Sequence, residues 1–348
     1  MRRAFPGYGP DVDAKYQRSA QWLLATIYGQ EKAREWCKAN GVAIAKATGE
    51  GIGSAGGFIV PTDLANAILD VRDSFGAFRR RARLVPMSSD TMHVGRHPGG
   101  TNAFFTGENA AATESTANPD GIALTAKKIG TLIRISSELE EDAVVDIVDY
   151  VASEIGLAFA AKEDDCAFNG DGTSAYGRMR GVGTIVLDGA HAKAKVTAGF
   201  GNTYLTIDFT DLSNLMASVQ ASSIPNAAWF CSQTCFAQAL CRLAGAAHLP
   251  MAMVDGVLTP YFLGFPVILT QKMPLGTGSL SGQAMIVFGD MYLAGVLGQR
   301  RGITLARSGE RYLDQDEIAV LGTERFHAVV HDLGDNSNFG AVAALVAP

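Results

Sequence analysis

The sequence predicts an α+β fold organised around one long strut helix, and three observations carry that prediction. Apolar residues recur at helical spacing from Val144 to Phe159, a strand pattern runs directly into them from Lys128 to Ile135, and residues 196–302 alternate short helices with short strands as an inserted lobe. The helix is expected over about 136–168. Its start is SSELEED, where Ser137 can cap the helix while Glu140 reaches back to complete a capping box, and Glu138, Glu140 and Glu141 suit the positive end of the dipole. Val144, Val148, Val151, Ile155 and Phe159 form one stripe, with Asp142, Asp146, Asp149 and Ser153 opposite, so one face packs and the other is wet or paired. Asn169 and Gly170 end the pattern, which at 1.5 Å per residue makes a strut roughly 50 Å long.

Composition bounds what the chain can do. With 348 residues it can bury a sizeable core, and a net charge of −6 leaves no global positive field to condense on phosphates, which argues against non-specific nucleic-acid binding. Five cysteines (Cys37, Cys166, Cys231, Cys235, Cys241) are odd in number and too sparse for a disulfide framework, which fits a reducing compartment. No run approaches the ~18 apolar residues of a membrane span, and MRRAFPGYGP has no apolar region behind its arginines, so neither membrane insertion nor a signal peptide is expected.

In chain order, residues 1–56 read as an arm. Tyr16 to Asn40 is helical in pattern, with Trp22, Leu23, Ile27 and Trp36 as apolar points, but FPGYGP and ATGEGIGSAGG on either side build no core, so the tryptophans need a partner surface, expected on neighbouring subunits. Thr62 caps a helix through Val71, and FRRRARLVP (Phe78 to Pro86) follows; its arginines Arg79, Arg80, Arg81 and Arg83 read as an ion-pairing interface, with Asp142, Asp146 and Asp149 as expected partners. Residues 95–126 are rich in Gly, Ala, Thr and Asn, and form a long loop or two-stranded projection that extends outward. Past the strut, strands are expected around Thr184 to Leu187, at AAWFCS and at FPVILT, with helices over Phe209–Ser222 and Gln233–Ala244. ITLARS, EIAVLG and RFHAVV alternate as strands before the tail NFGAVAALVAP, and these return to the sheet beside the strut.

Motifs for chemistry are sparse. Glu163, Asp164 and Asp165 before NGDGT resemble part of a calcium loop, but the closing acidic position, 180, is Arg. His327 and His331 lie in a strand pattern without the HExxH glutamate, and neither a GxSxG elbow nor a phosphate loop is present. No catalytic, cofactor-binding or metal-binding residue is therefore assigned, and no cofactor is expected.

Five motifs in order point further. GGFIVP (56–61), FFTGEN (104–109), KKIGTLIRISSELEED running into KEDDCAFNGDGTSAYGRMRG, LGFPVILTQKMP (263–274) and FGDMYLAG (288–295) resemble the major capsid proteins of tailed bacteriophages, which have the Hong Kong 97 fold. The resemblance implies an N-terminal arm (1–56), a peripheral domain (57–94, 127–195 and 303–348) carrying the spine helix, an extended loop (95–126) and an axial domain (196–302). It implies a structural protein, not an enzyme, that assembles with itself as hexamers and pentamers into an icosahedral virion shell enclosing double-stranded DNA without sequence-specific binding. Scaffold, portal and cement proteins are the implied partners, and the host bacterial cytoplasm the implied place of assembly. Alternatives are an encapsulin-like nanocompartment shell and, from another class, a hydrolase using the 163–171 carboxylates. Two departures from the family stand out: only 55 residues precede the GGFIVP stretch where many members carry a long scaffolding segment, and no lysine lies between Gly99 and Ala126, so isopeptide cross-linking is not expected.

Overall fold

The structure, a computed structural model, describes residues 10–28, 30–44, 57–59, 62–96, 120–136, 144–245, 251–254, 257–315 and 317–348. The Ser137–Glu140 capping box, the glycine run at 49–53 and FFTGEN (104–109) lie outside them.

Helices α1 (Pro10–Leu23) and α2 (Glu31–Ala39) flank a π-helical turn, Leu24–Tyr28, as the pattern from Tyr16 to Asn40 predicts. Their partner surface differs from the expectation. Trp22 is 1% exposed, and Leu23, Leu24 and Ala25 join it in a core with Leu64, Ile68 and Val71 of α3 (Thr62–Phe75) and with Val151, Ile155 and Phe159 of α4 (Val144–Asn169). Arg18 Nε also donates to Asp63 Oδ2 at 2.9 Å. The apolar face of α3 and α4 in the same chain covers these helices.

α4 is the strut. Its 26 described residues span about 39 Å. The residue before the expected cap, Ser136, belongs to a strand because it pairs with Glu317. Ser153, expected on the wet face, is buried, its Oγ donating to the Tyr150 carbonyl at 3.0 Å, because the helix is enclosed there by its neighbours. Gly156 sets the approach of α3: a Cβ at this position would sit 2.9 Å from the Ile68 carbonyl oxygen and from Val71 Cγ1, closer than real side chains tolerate.

One face of a five-stranded sheet packs on these helices. Its order is β1 (Gly57–Ile59), β12 (Gly295–Tyr312), β13 (Glu317–Val330) and β5 (Lys127–Ser136), with β2 (Arg83–Pro86) parallel to β12. Alternation turns Ile135, Ile303, Leu305 and Val320 into the core, as the patterns around Ile129, ITLARS and EIAVLG predict. Beside this sheet β3 (Thr91–Arg96) pairs antiparallel with β4 (Asp120–Thr125), a two-stranded ribbon that brackets residues 97–119.

The lobe holds a seven-stranded mixed sheet ordered β6 (Lys195–Thr197), β14 (Val342–Val346), β11 (Ala284–Gly289), β7 (Ala228–Cys231), β10 (Phe265–Leu269), β9 (Val257–Phe262) and β8 (Met251–Val254). β14, β11 and β7 are buried along their length, which explains their continuous apolar runs. This corrects the grouping of 303–348 with the strut: β14 lies between β6 and β11 in the lobe's sheet. Gly289, at φ 138°, lets the Ala341 backbone close on β11 there. Thr184 to Leu187, expected as a strand, lies instead in and beside the short helix α5 (Val182–Val186); Thr184 Oγ1 and the Gly181 N–H both donate to the Gly170 carbonyl, at 2.7 and 2.8 Å, and that turn overrides the β-branched composition. Helix α6 (Phe209–Ala217) ends before Ser222, and its start is a capping box of Asp208 and Asp211. The helical run expected at Gln233–Ala244 is present, with a π-helical turn at Phe236–Leu240.

Candidate functional site

The most charged interior of the molecule lies where α3, the turn after it, α4, β12 and β13 meet. Arg79 leaves that turn and holds Glu163 of α4 in a fork, Nε to Oε2 at 2.8 Å and Nη2 to Oε1 at 2.7 Å. Arg72, from the last turn of α3, donates through Nη1 to Glu324 Oε1 on β13, and Gln299 Nε2 of β12 reaches the same oxygen at 2.9 Å. The pairs are cross-linked: Arg72 lies 3.9 Å from Glu163, and Arg79 lies 3.9 Å from Glu324. All four charged side chains are within 3% of full burial. Beside them Asp164 accepts from the backbone N–H groups of Ala77 and Phe78, both at 2.9 Å, and so fixes the turn that carries Arg79.

Burial and the neighbouring Glu163 raise the Glu324 carboxyl to about 7 against the opposing pull of Arg72 and Arg79. Burial also raises Asp164 to about 6, its two backbone hydrogen bonds working the other way. Arg79 is pulled down by burial, but its bonds and attraction to Glu163 outweigh that and raise it.

This arrangement bears on each candidate from the sequence. The 163–171 carboxylates do not converge: Glu163 and Asp164 are buried and committed to Arg79 and the turn, Asp165 pairs with Lys162 at 3.5 Å, and Asp171 caps its own turn by accepting from the Thr173 N–H at 2.8 Å. Among the described residues no group of three or more His, Cys, Asp or Glu side chains is placed to hold a metal ion. His327 lies in β13 opposite Gly298, its imidazole lowered to about 4 by burial and by Lys127. Of the four arginines after Phe78, Arg79 enters the network, with Glu163 and Glu324 as partners; Asp142 and the side chains of Asp146 and Asp149, expected as partners, lie outside what the structure describes. Arg72, Gln299 and Glu324 escaped notice in the sequence; the available signal was a charged residue embedded in apolar alternation, as in LGTERF. The network is a buried clasp between strut and sheet.

The surface carries a different feature. Phe200, Leu205, Phe209 and Leu275 are each at least half exposed at one end of the lobe, where Asn202 Nδ2 bonds Ser279 Oγ at 2.8 Å and the Tyr204 hydroxyl donates to the Pro274 carbonyl at 2.6 Å. Large apolar side chains exposed together are a common mark of an interaction surface. No helix among the described residues is long and apolar enough to cross a membrane.

Comparison with known proteins bears on both features. The model of the family described as the phage capsid family matches residues 56–332. A curated "Major capsid protein" of Klebsiella oxytoca phage phiKO2 is 26% identical over 291 residues, 80% of this chain; the chain spans 66% of that relative's length. Among solved structures, the "Capsid of empty GTA particle" is similar at TM-score 0.60 and 19% identity, covering 90% of this chain and 98% of that one. The structure named for Mycobacterium phage Adephagia is similar at TM-score 0.54 and 18% identity, covering 79% and 90%.

Proposed function

The chain belongs to the phage capsid family, with the Hong Kong 97 fold, and from that premise we propose that it is the major capsid protein of a tailed phage, assembling into an icosahedral shell of hexamers and pentamers. The observation that carries the reading is the family match over residues 56–332, which takes in the strut helix, its sheet, the ribbon and most of the lobe. The protein is a component of the virion, and its role is structural. We assign residues 57–94, 127–195 and 303–341 to a peripheral domain, 95–126 to an extended loop, and 196–302 together with β14 to an axial domain whose apolar end at Phe200, Leu205, Phe209 and Leu275 packs on neighbouring copies. Residues 1–56 form the arm, with α1 and α2 docked on their own strut. Scaffold, portal and cement proteins are its partners, double-stranded DNA is enclosed without sequence-specific contacts, and assembly takes place in the host cytoplasm.

The test is expression of the chain with and without a co-produced scaffold, followed by negative-stain imaging and mass analysis of contents. Closed shells holding nucleic acid, or empty shells competent to fill, are the expected result. A cargo enzyme inside the particles would replace this reading with a nanocompartment. A hydrolytic activity abolished by Asp164→Asn and Asp171→Asn, with assembly intact, would overturn the structural role.

A further inference from the structure

Between α3 and β2 the chain turns through residues 76–82, and that turn is anchored on its inner side. Phe78 and Ala82 are buried in the core beneath it, the N–H groups of Arg81 and Ala82 donate to the Phe78 carbonyl at 3.0 and 2.8 Å, and Arg83 opens the ladder with β12 opposite Val296. With 78 and 82 held inward, the remaining arginines are carried outward: Arg80 and Arg83 are exposed and Arg81 is half-buried.

The carboxylates packed around the turn are already engaged. Asp164 accepts the Ala77 and Phe78 N–H groups, Glu163 and Glu324 belong to the clasp, and Asp73 lies 3.5 Å from Arg72 and 3.6 Å from Arg79. Among the described residues no carboxylate pairs with Arg80, Arg81 or Arg83; Arg80 Nε donates instead to the Gly76 carbonyl, a neutral partner, at 3.1 Å. Burial lowers the Arg80 guanidinium against the pull of Asp164, and Arg81 beside it adds to the lowering, so the turn is short of negative charge. Three positive charges stand together on a chain whose net charge is −6.

The occupant must therefore be anionic, and the backbone sets its spacing. Three residues separate Arg80 from Arg83, a span of at most about 10 Å. Duplex DNA carries one phosphate per ~3.4 Å of axis on each strand, so the turn faces about three phosphates of one strand. Guanidinium forks match phosphate oxygens in pairs, and FRRRARLVP supplies arginine at each of these positions with no lysine.

We propose that Arg80, Arg81 and Arg83 form a contact for the phosphate backbone of enclosed double-stranded DNA. The inference rests on the shell-forming role proposed above and names where the wall meets its contents. Such contacts are weak in one subunit and carry no base information, but they recur in every copy of a closed shell, which holds the outermost DNA while letting it slide.

Salt dependence tests it. The probe is a short labelled duplex of mixed sequence, titrated by fluorescence anisotropy with the unassembled full chain, and circular dichroism confirms the folding of each variant. Three phosphate contacts give a slope of log affinity on log salt of about −2.7, so raising salt from about 50 to about 200 mM weakens binding about 40-fold. Arg83→Ala, exposed in β2, should reduce the slope by about 1, and Arg80→Ala/Arg81→Ala/Arg83→Ala should bring it near zero and cost about tenfold or more in affinity at the lower salt. Lys32→Ala/Lys38→Ala/Lys195→Ala removes the same charge from exposed lysines elsewhere and should leave the slope unchanged. An unaltered chain that ignores the duplex at the lower salt, a slope that survives the triple arginine substitution, or an equal loss in the lysine control would each overturn the proposal. Phe75 and Leu84, about half exposed immediately before and after the turn, are what a protein partner would use. Polyglutamate that outcompetes the duplex at equal charge, or a triple arginine variant that binds duplex normally but no longer assembles, would give the surface to protein and equally overturn the proposal. Shell formation by the unaltered chain is scored separately by imaging: a chain that forms shells and fails these tests loses only this contact, whereas one that forms none loses the functional reading on which the contact rests.

Discussion

Replacing Arg79 with Met tests how far the buried clasp holds the strut to its sheet. The side chain is 3% exposed and Glu163 is fully buried, so the substitution removes two charge-assisted hydrogen bonds and leaves a carboxylate in the interior. What remains for Glu163 is Arg72 at 3.9 Å, worth about 4 kcal/mol of attraction at an effective dielectric of about 20, but Arg72 is already engaged by Glu324. Breaking one side of a buried pair costs about 3–5 kcal/mol, and we expect Arg79→Met to fall in that range. Arg79→Met/Glu163→Leu removes both members and leaves Arg72 and Glu324 balanced, so it should recover to within about 1–2 kcal/mol of the unaltered protein. The assay is urea unfolding of subunits kept below their assembly concentration, with the slope checked for constancy between variants. A single-variant loss under about 1 kcal/mol, or a double variant as unstable as the two singles added together, would refute the clasp as the element that carries the load.

Stability of the unassembled subunit should depend on pH through Glu324. Its folded-state carboxyl is raised from 4.5 to about 7, so its contribution is full below pH 4.5 and is lost as pH rises to 7, at no more than about 1.4 kcal/mol per pH unit. Asp164, raised from 3.8 to about 6, adds in the same direction. Glu324→Gln should flatten that slope in urea midpoints measured across the window, and an unchanged slope would count against the assignment. Trp22→Ala should cost about 3–5 kcal/mol and expose α1 and α2 to proteolysis in single subunits, whereas equal protection in both proteins would return the arm's partner surface to a neighbour. Mature particles boiled in detergent should give one band near 36.7 kDa, because residues 99–126 contain no lysine and Lys127, at the ribbon's base, packs beside Gly177; a ladder surviving thiol reduction would contradict this.

Legibility in the sequence followed the range of the forces involved. The strut, the β12–β13 hairpin and the strands at Ala228 and Phe265 were readable because their periodicity is local. The clasp was not, because Arg72 and Glu324 stand 252 residues apart and no local pattern links them; Glu163 and Asp164 resemble instead part of a calcium loop. The Thr184–Leu187 stretch was misread because three β-branched residues point to a strand, while the hydrogen bonds that wind it into a helix come from Gly170. The run from Val342 to Val346 reads only as part of a small-residue tail, since a continuous apolar strand has no wet face to say which sheet it enters. Trp22 called for a covered surface without indicating that α3 and α4 of the same chain supply it.

The position of β14 sets a clock on production of the subunit. Its neighbour β6 ends at Thr197 and β14 begins at Val342, so 144 residues must be translated between the two strands of one ladder. At about 5–20 residues per second a ribosome needs roughly 7–30 s for that interval, during which β6 lacks the strand that joins it to the rest of its sheet. Pairing across so long a loop is also slow to nucleate. The lobe's sheet is thus closed only once β14 has been made, well after α4, β6 and β7.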